Sequence, residues 1–395
     1  MAERAPQARY RVAVTGLGVV SCAGIGQDAF WAGLLAPPPE GLRYVHDFDP
    51  APYYANPKEV RRADRFQQFA TAAAAEAIGQ SGLPGGDPVR EGVIIGTGIG
   101  GLNTLEEQTI VRYEKGPRRV SPFMIPMVMG NAPAAAVSMR YGFQGPCETI
   151  VTACAAGTHS IANAARLISS GRCTAVIAGS TEAAMTETGV AGFTNMTAMS
   201  SSLTSRPFDA RRDGFVMSEG AGVLVLEEWE AAERRGATIL AEVLGGASTA
   251  DAHHITAPSP DGSGGISCIE LALAEAGLSP ADIAQVNAHG TSTPLNDAAE
   301  ASAIAKIFGT PGPAVTSIKG VTGHALGAAG SIEAVSVVLS IQHGLIPPTA
   351  GYGEPDPELA VIDIVTEARP WTPGPTLSNS FGFGGHNGTL ILAPA

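Results

Sequence analysis

Short apolar runs alternate with longer Ala- and Gly-rich segments of helical period along the whole chain. That alternation limits the fold more than any other feature. Strands are predicted at Arg11–Thr15, Gly92–Ile95, Thr149–Ala153, Thr174–Ala178, Gly222–Glu227, Ile239–Leu244, Ala284–Ala288, Ala314–Ile318, Val361–Val365 and Thr389–Leu392. Helices are predicted at Arg62–Ser81, Ala155–Ser170, Trp229–Arg235, Ile266–Ala276, Ala298–Phe308 and Ala328–His343. Strand and helix in turn argue for α/β architecture with covered sheets. The strands are apolar without strict alternation, as expected when both faces are buried. Thr149–Gly171 and Val315–Gly344 echo each other: strand, polar turn, Ala/Gly-rich helix, closing Gly. Two copies of one α/β unit would fit, residues 1–236 and 237–395, with a seam near Gly236.

The chain has 395 residues, enough for one large domain or two fused ones. It holds 49 Gly and only 6% aromatics, which suits tight layers and sharp turns. Net charge is −13, which argues against a general affinity for nucleic acid. Five cysteines show neither C-x-x-C nor small-scaffold spacing, so reduced thiols and a cytoplasmic setting are expected. The segment Met1–Gln7 has no apolar signal core, and no run is long enough to span a bilayer.

Cys154 lies in Glu148-Thr-Ile-Val-Thr-Ala-Cys-Ala-Ala-Gly157, where a β-branched run meets a small-residue helix. A thiol there faces unpaired N–H groups and the positive end of the helix dipole, and both favour thiolate. The plain alternative is a buried packing cysteine. The dipole contributes only about 0.3–1 kcal/mol when exposed, so a nearby His or Lys must help form a thiolate.

Gly96-Thr-Gly-Ile-Gly-Gly101 matches G-x-G-x-x-G after a strand, but no acid lies about 20 residues on. A sharp turn at a crowded sheet end explains it as well. His253 and His254 read as a polar loop rather than a metal site. His289 and His324 differ. Each follows a strand and is flanked by Gly and hydroxyls, where α/β sheets bind ligands. The stretch Leu377–Asn387 ends in Phe-Gly-Phe383-Gly-Gly. Such a loop can bring backbone N–H groups to a substrate oxygen and swing with Phe383 as a gate.

Four motifs in order, Thr-Ala-Cys154-Ala-Ala-Gly, Asn-Ala-His289-Gly-Thr-Ser-Thr-Pro, Lys319 with Gly-His324-Ala-Leu-Gly-Ala-Ala-Gly, and Asn379-Ser-Phe-Gly-Phe383-Gly-Gly, resemble the β-ketoacyl-[acyl-carrier-protein] synthases. The similarity runs from Arg11 to Leu392 and is greatest to the elongating Cys-His-His type of fatty acid and type II polyketide synthesis. It implies the thiolase fold: five layers, α-β-α-β-α, made of two repeated halves, in an obligate dimer. It implies that Cys154 takes the acyl chain and that His289 and His324 bind the malonyl thioester and promote decarboxylation. Lys319 resembles the family's active-site lysine. Asp297, Glu300 and Glu333 match acids that order the lysine and histidines. The N–H groups of Cys154 and Phe383 would form the oxyanion hole. Thr291 and Thr293 match pantetheine contacts, and Ile99, Met124 and Phe193 match acyl-pocket positions. No metal or other cofactor is implied, because the substrates ride on the phosphopantetheine of an acyl carrier protein.

Lys58, Arg61, Arg62, Arg118, Arg119 and Arg206 are basic points in an acidic chain. On charge alone they fit ordinary solvated surface or a patch for an acidic partner. The resemblance aligns them with the carrier-docking patch. Some features depart from housekeeping members: Met124 where an aromatic is common, Leu295-Asn296 before Asp297, the short segment Met199–Arg206, and Ser317-Ile-Lys319-Gly. They lean toward a specialised polyketide or unusual fatty acid pathway, with housekeeping elongation as the alternative. A biosynthetic thiolase would need a second cysteine near the C-terminus, yet none follows Cys268. A starter-type synthase would carry Asn at position 324. A chain-length-factor subunit would lack Cys154, although such a subunit, like a second copy of this chain, remains a candidate partner.

Overall fold

The structure is a computed structural model that describes residues 10–83 and 85–395. The segment Met1–Gln7 read above lies outside the described residues. Ten strands and six helices place the site. The strands are β1 (Val12–Ser21), β2 (Glu91–Gly96), β3 (Cys147–Glu148), β4 (Ala175–Glu182), β5 (Gly220–Glu228), β6 (Ala241–Ala250), β7 (Gln285–Asn287), β8 (Ala314–Thr316), β9 (Thr376–Gly382) and β10 (His386–Ala393). The helices are α1 (Arg65–Ser81), α2 (Ala132–Tyr141), α3 (Ala156–Ser169), α4 (Ser263–Ala276), α5 (Pro294–Phe308) and α6 (Ala329–His343).

One hydrogen-bonded path runs β8-β7-β9-β10-β6-β1-β5-β4-β2-β3, with Asp363–Ile364 added outside β8. It consists of two five-strand runs of identical order. In β3-β2-β4-β5-β1 the first three strands are parallel and the last two antiparallel. β8-β7-β9-β10-β6 repeats that order and those directions. Only two register pairs join them, Ala13 with Glu242 and Val14 with Ala241.

α3 and α6 lie between the two runs and pack on each other and on strands of both. α1 and α2 cover the outer face of the first run, and α4 that of the second, against α5. This is the five-layered α-β-α-β-α arrangement expected from the sequence. The central layer is possible because α3 and α6 meet through small residues. A Cβ on Gly157 would stand 2.5 Å from Ser331 N, and one on Gly330 would stand 2.4 Å from Thr158 Oγ1. α1 starts at an Asp64 cap, whose carboxylate accepts the Phe66 N–H, and stops at left-handed Gly82.

Two expectations need correcting. The predicted strand Thr149–Ala153 does not pair as a strand: pairing stops at Cys147–Glu148, just before it, and Ala153 already belongs to a short 3-10 turn. Ile150 packs against the core from this segment, and its carbonyl accepts the Thr97 N–H at 3.1 Å. β9 was not foreseen, nor was the helix Leu102–Lys115, whose one buried residue leaves no apolar stripe to read.

Candidate active site

The chain approaches Cys154 through a strained turn. Ala153 has φ 49°, a left-handed conformation that L-residues seldom adopt. The turn is followed at once by α3. β3 and β8 hold matching places in the two runs. Cys154 follows β3, as Lys319 and His324 follow β8. His289 follows β7, and Phe383 lies between β9 and β10. All are at the carboxyl ends of strands.

These segments meet in one cavity of about 340 Å³ lined by Cys154, His289, His324, Phe193, Phe383, Thr291 and Thr293 among others. Cys154 Sγ is 3.1 Å from His324 Nε2. The two imidazoles are nearly perpendicular, 5.4 Å between centroids. Lys319 and Glu333 form an ion pair at 1% and 2% side-chain exposure. Lys319 Nζ also donates to His289 O and lies 3.4 Å from His289 Nδ1. If Nδ1 accepts that contact, His289 carries its proton on Nε2. His324 Nδ1 is buried with no hydrogen-bond partner among the described residues, so the Cys154 thiol on Nε2 is the contact that bears on its tautomer.

Burial dominates the electrostatics. It pushes the Cys154 thiol up to about 12, against Lys319 and the backbone N–H groups of Phe383 and Cys154, which pull it down. The thiolate expected from the helix terminus is therefore not the resting state; desolvation outweighs the dipole. Burial, with Lys319 beside them, holds His289 and His324 well below the ordinary imidazole value, so both rings are neutral at pH 7. Burial pushes Glu333 up to about 7, with Lys319 opposing.

The other expected acids divide. Glu300 accepts the N–H groups of His289 and Gly290, each at 2.8 Å, and so orders the His289 turn. Asp297 accepts the Phe208 N–H at 2.8 Å and the Asn296 amide, and contacts neither histidine. Thr291 and Thr293 hydroxyls are 2.9 Å apart on the cavity wall. Phe193 stacks obliquely on Phe383 at 6.5 Å. Ile99 is 45% exposed, and neither it nor Met124 lines this cavity.

Two residues were missed. Glu182, fully buried at the end of β4, accepts N–H groups from Gly98 at 2.7 Å and Gly327 at 3.2 Å. It ties the Gly96–Gly101 loop to the turn after His324. That loop spends its Gly98 N–H on a carboxylate of its own chain, which fits the crowded-turn reading and not a phosphate cradle. His159, on α3, is the second and is taken up below. His253 and His254 lie on an exposed loop, and no metal-binding cluster occurs among the described residues.

Lys58, Arg61, Arg62, Arg118 and Arg119 are exposed. The Arg62 guanidinium lies 4.1 Å from the Phe123 ring centroid, which brings the Lys58–Arg62 segment beside the segment that follows Arg119. Arg206 is on another segment, where its N–H bonds Ser292 Oγ at 2.9 Å beside the threonine pair.

The beta-ketoacyl synthase N-terminal domain model matches residues 37–232, and the C-terminal domain model matches residues 240–353. The chain belongs to the β-ketoacyl synthase family. It is 44% identical to the 3-oxoacyl-[acyl-carrier-protein] synthase 2 of Synechocystis, over 97% of this chain and 98% of that one. It resembles the ishigamide ketosynthase/chain length factor with a TM-score of 0.90 and 32% identity, over 98% of this chain and all of that one. A type II polyketide ketosynthase solved with its acyl-carrier protein and bound to a hexaketide gives a TM-score of 0.89 and 31% identity, with the same coverage. The expectations of a ketosynthase-type acyltransferase and of a thiolase fold are met. No helix of the described residues is long and apolar enough to cross a membrane.

Proposed function

We propose that Cys154 accepts an acyl group from an acyl carrier protein and that the chain then condenses it with malonyl carrier, using no cofactor of its own. The observation that carries this reading is the 3.1 Å contact of Cys154 Sγ with His324 Nε2, inside a cavity that also presents His289 and the Phe383 loop. In the first half-reaction Cys154 attacks the thioester carbonyl. With its proton on Nδ1, neutral His324 takes the thiol proton and returns it to the departing pantetheine sulfur. The N–H groups of Cys154 and Phe383 receive the oxyanion.

In the second half-reaction the malonyl carboxylate leaves as CO₂. The electrons of the broken C–C bond form an enolate. His289 donates from Nε2, and His324 donates in its other tautomer. The carbanion attacks the acyl-Cys154 carbonyl, the C–S bond breaks, and the thiolate takes from solvent the one proton that the overall condensation consumes. Burial keeps water from the acyl enzyme until malonyl arrives. Single-turnover mass measurement tests this scheme: an acyl mass gained on Cys154 and lost when malonyl carrier is added supports it, and product formed with Cys154 never acylated contradicts it.

Thr291 and Thr293 line the pantetheine path, and Phe193 the acyl path. Glu300 and Glu333 hold the two histidine-bearing segments; Asp297 acts at one remove, through Phe208. The two halves, 1–236 and 237–395, supply the nucleophile and the histidines respectively. Ile99 and Met124 join the acyl pocket only once a partner chain covers them, as a dimer would. Exposed Phe123, Ile125, Met129 and Val151 near strand β3, at the edge of the sheet, fit such a face. The partner is a second copy or a chain-length-factor-like homologue, and sedimentation of the purified chain alone distinguishes them. A cytoplasmic setting goes with this reading. The specialised-pathway lean rests on the local departures at Met124 and Leu295-Asn296, beside the 44% overall identity to a 3-oxoacyl synthase.

Lys58, Arg61, Arg62, Arg118, Arg119 and Arg206 receive the acidic carrier. Replacing Arg61→Glu and Arg62→Glu together is expected to raise KM for carrier thioesters roughly 10-fold or more, with kcat little changed. Unchanged KM would remove the docking reading.

A further inference from the structure

We propose that His159 is a positioning residue for the oxyanion hole, because its ring spans the two backbone segments that carry the hole's two N–H groups. The proposal rests on the function proposed above. His159 Nδ1 is 2.8 Å from Thr152 Oγ1, two residues before Cys154. Its Nε2 is 3.0 Å from Asn387 O, four residues after Phe383. The Phe383 loop abuts the nucleophile, since a Cβ on Gly382 would stand 3.1 Å from Cys154 N, and the N–H groups of Cys154 and Phe383 both draw the thiol's pKa down. One imidazole thus fixes the separation of the strand-end loop and the nucleophile turn.

The bonding assigns the proton. A carbonyl can only accept, so Nε2 carries the hydrogen to Asn387 O. Nδ1 is then the acceptor, and the Thr152 hydroxyl donates to it. The ring is about nine-tenths buried and sits against β10. A Cβ on Gly388 would stand 3.0 Å from it, so a larger residue there would push the ring from its place. Thr152 directly precedes Ala153, whose left-handed φ turns Cys154 into the cavity. On the other side, the Asn387 amide bonds Asp251 Oδ1 at 2.7 Å, and Asp251 N–H bonds Gly385 O at 2.9 Å. The tether therefore ends on a braced segment.

The test compares two reactions of the same thiol. Acyl transfer from acyl carrier passes through an oxyanion. Alkylation by iodoacetamide is a direct displacement at carbon, iodide leaving as the C–S bond forms, and it makes no oxyanion. His159→Leu and Thr152→Val are each expected to slow single-turnover acyl transfer about 10- to 100-fold, less than or equal to the loss of a whole oxyanion donor. Alkylation of Cys154, which feels those N–H groups only through the acidity of the thiol, should slow far less than acyl transfer. The double variant should be no slower than the slower single one, because both cut one tether. His159→Gln, which can donate to Asn387 O and accept from Thr152, should recover part of the rate. Thr152→Val keeps the ring in the core and serves where His159→Leu does not fold. Equal slowing of both reactions, or acyl transfer at the wild-type rate in both variants, would overturn the proposal. Failure of the wild type to acylate Cys154 would instead sink the proposed function.

Discussion

Cys154→Gln is expected to abolish condensation, by about 10⁴-fold or more, and to leave malonyl-carrier decarboxylation running. The first loss follows from the removal of the only atom that can hold the acyl chain. The retained activity follows from the geometry. His289 and His324 face the cavity beside the thiol, and neither depends on it for its place. His324 is held by its backbone, with its N–H on Val216 O at 2.7 Å and its carbonyl accepting Ser218 N–H at 3.0 Å. His289 is held by Glu300 and Lys319. Both rings stay neutral because burial, not the sulfur, is the first cause of their low pKa values. They remain able to donate to an enolate oxygen. Assaying CO₂ release and β-ketoacyl product on the same folded variant separates the two halves. Loss of both activities would count against the division of labour.

Glu333→Leu carries the second large expectation. Lys319 would be left inside the protein with no counter-charge, where it keeps only its contacts with His289. Breaking one side of a buried pair costs about 3–5 kcal/mol, more than the pair itself contributes over an apolar substitute. The denaturant midpoint should therefore fall sharply. The double variant Lys319→Met with Glu333→Leu should regain most of that stability. It should not regain activity, since the Lys319 contacts that order His289 are gone. A single variant within about 1 kcal/mol of wild type would show that water reaches the lysine and that the pair is not dry.

The sequence made Cys154, both histidines and Lys319 stand out as site candidates because each lies in a local motif that also builds its own turn. Gly-Thr around His289 and Gly before His324 are the chemistry of strand ends, readable without a partner. Glu333 was legible at one remove, as a spacing from Lys319. What stayed hidden depends on distance in the chain. Glu182 and His159 look like ordinary residues of a strand and a helix; their partners Gly327 and Asn387 are 145 and 228 residues away. The state of the thiol was hidden for the same reason. Its helix terminus can be read locally, but the desolvation that overrides it comes from elements throughout the chain. β9 escaped notice because Thr376–Gly382 is polar for a strand, and its hydroxyls and amide are satisfied inside, as where Asn379 meets Glu300 and Thr389. The fold class was clearer than these details, since the alternation of strand and helix survives errors at any single element.

In the proposed reaction one acyl group is carried on Cys154 between two half-reactions. Intact-protein mass spectrometry of the wild-type chain, mixed first with acyl carrier and then with malonyl carrier, tests it most directly. The account predicts a gain of one acyl mass per chain, mapped to Cys154, that persists until malonyl carrier is added and then disappears as β-ketoacyl carrier forms. A stable acyl mass on another residue, or product formation with Cys154 never acylated, would contradict it.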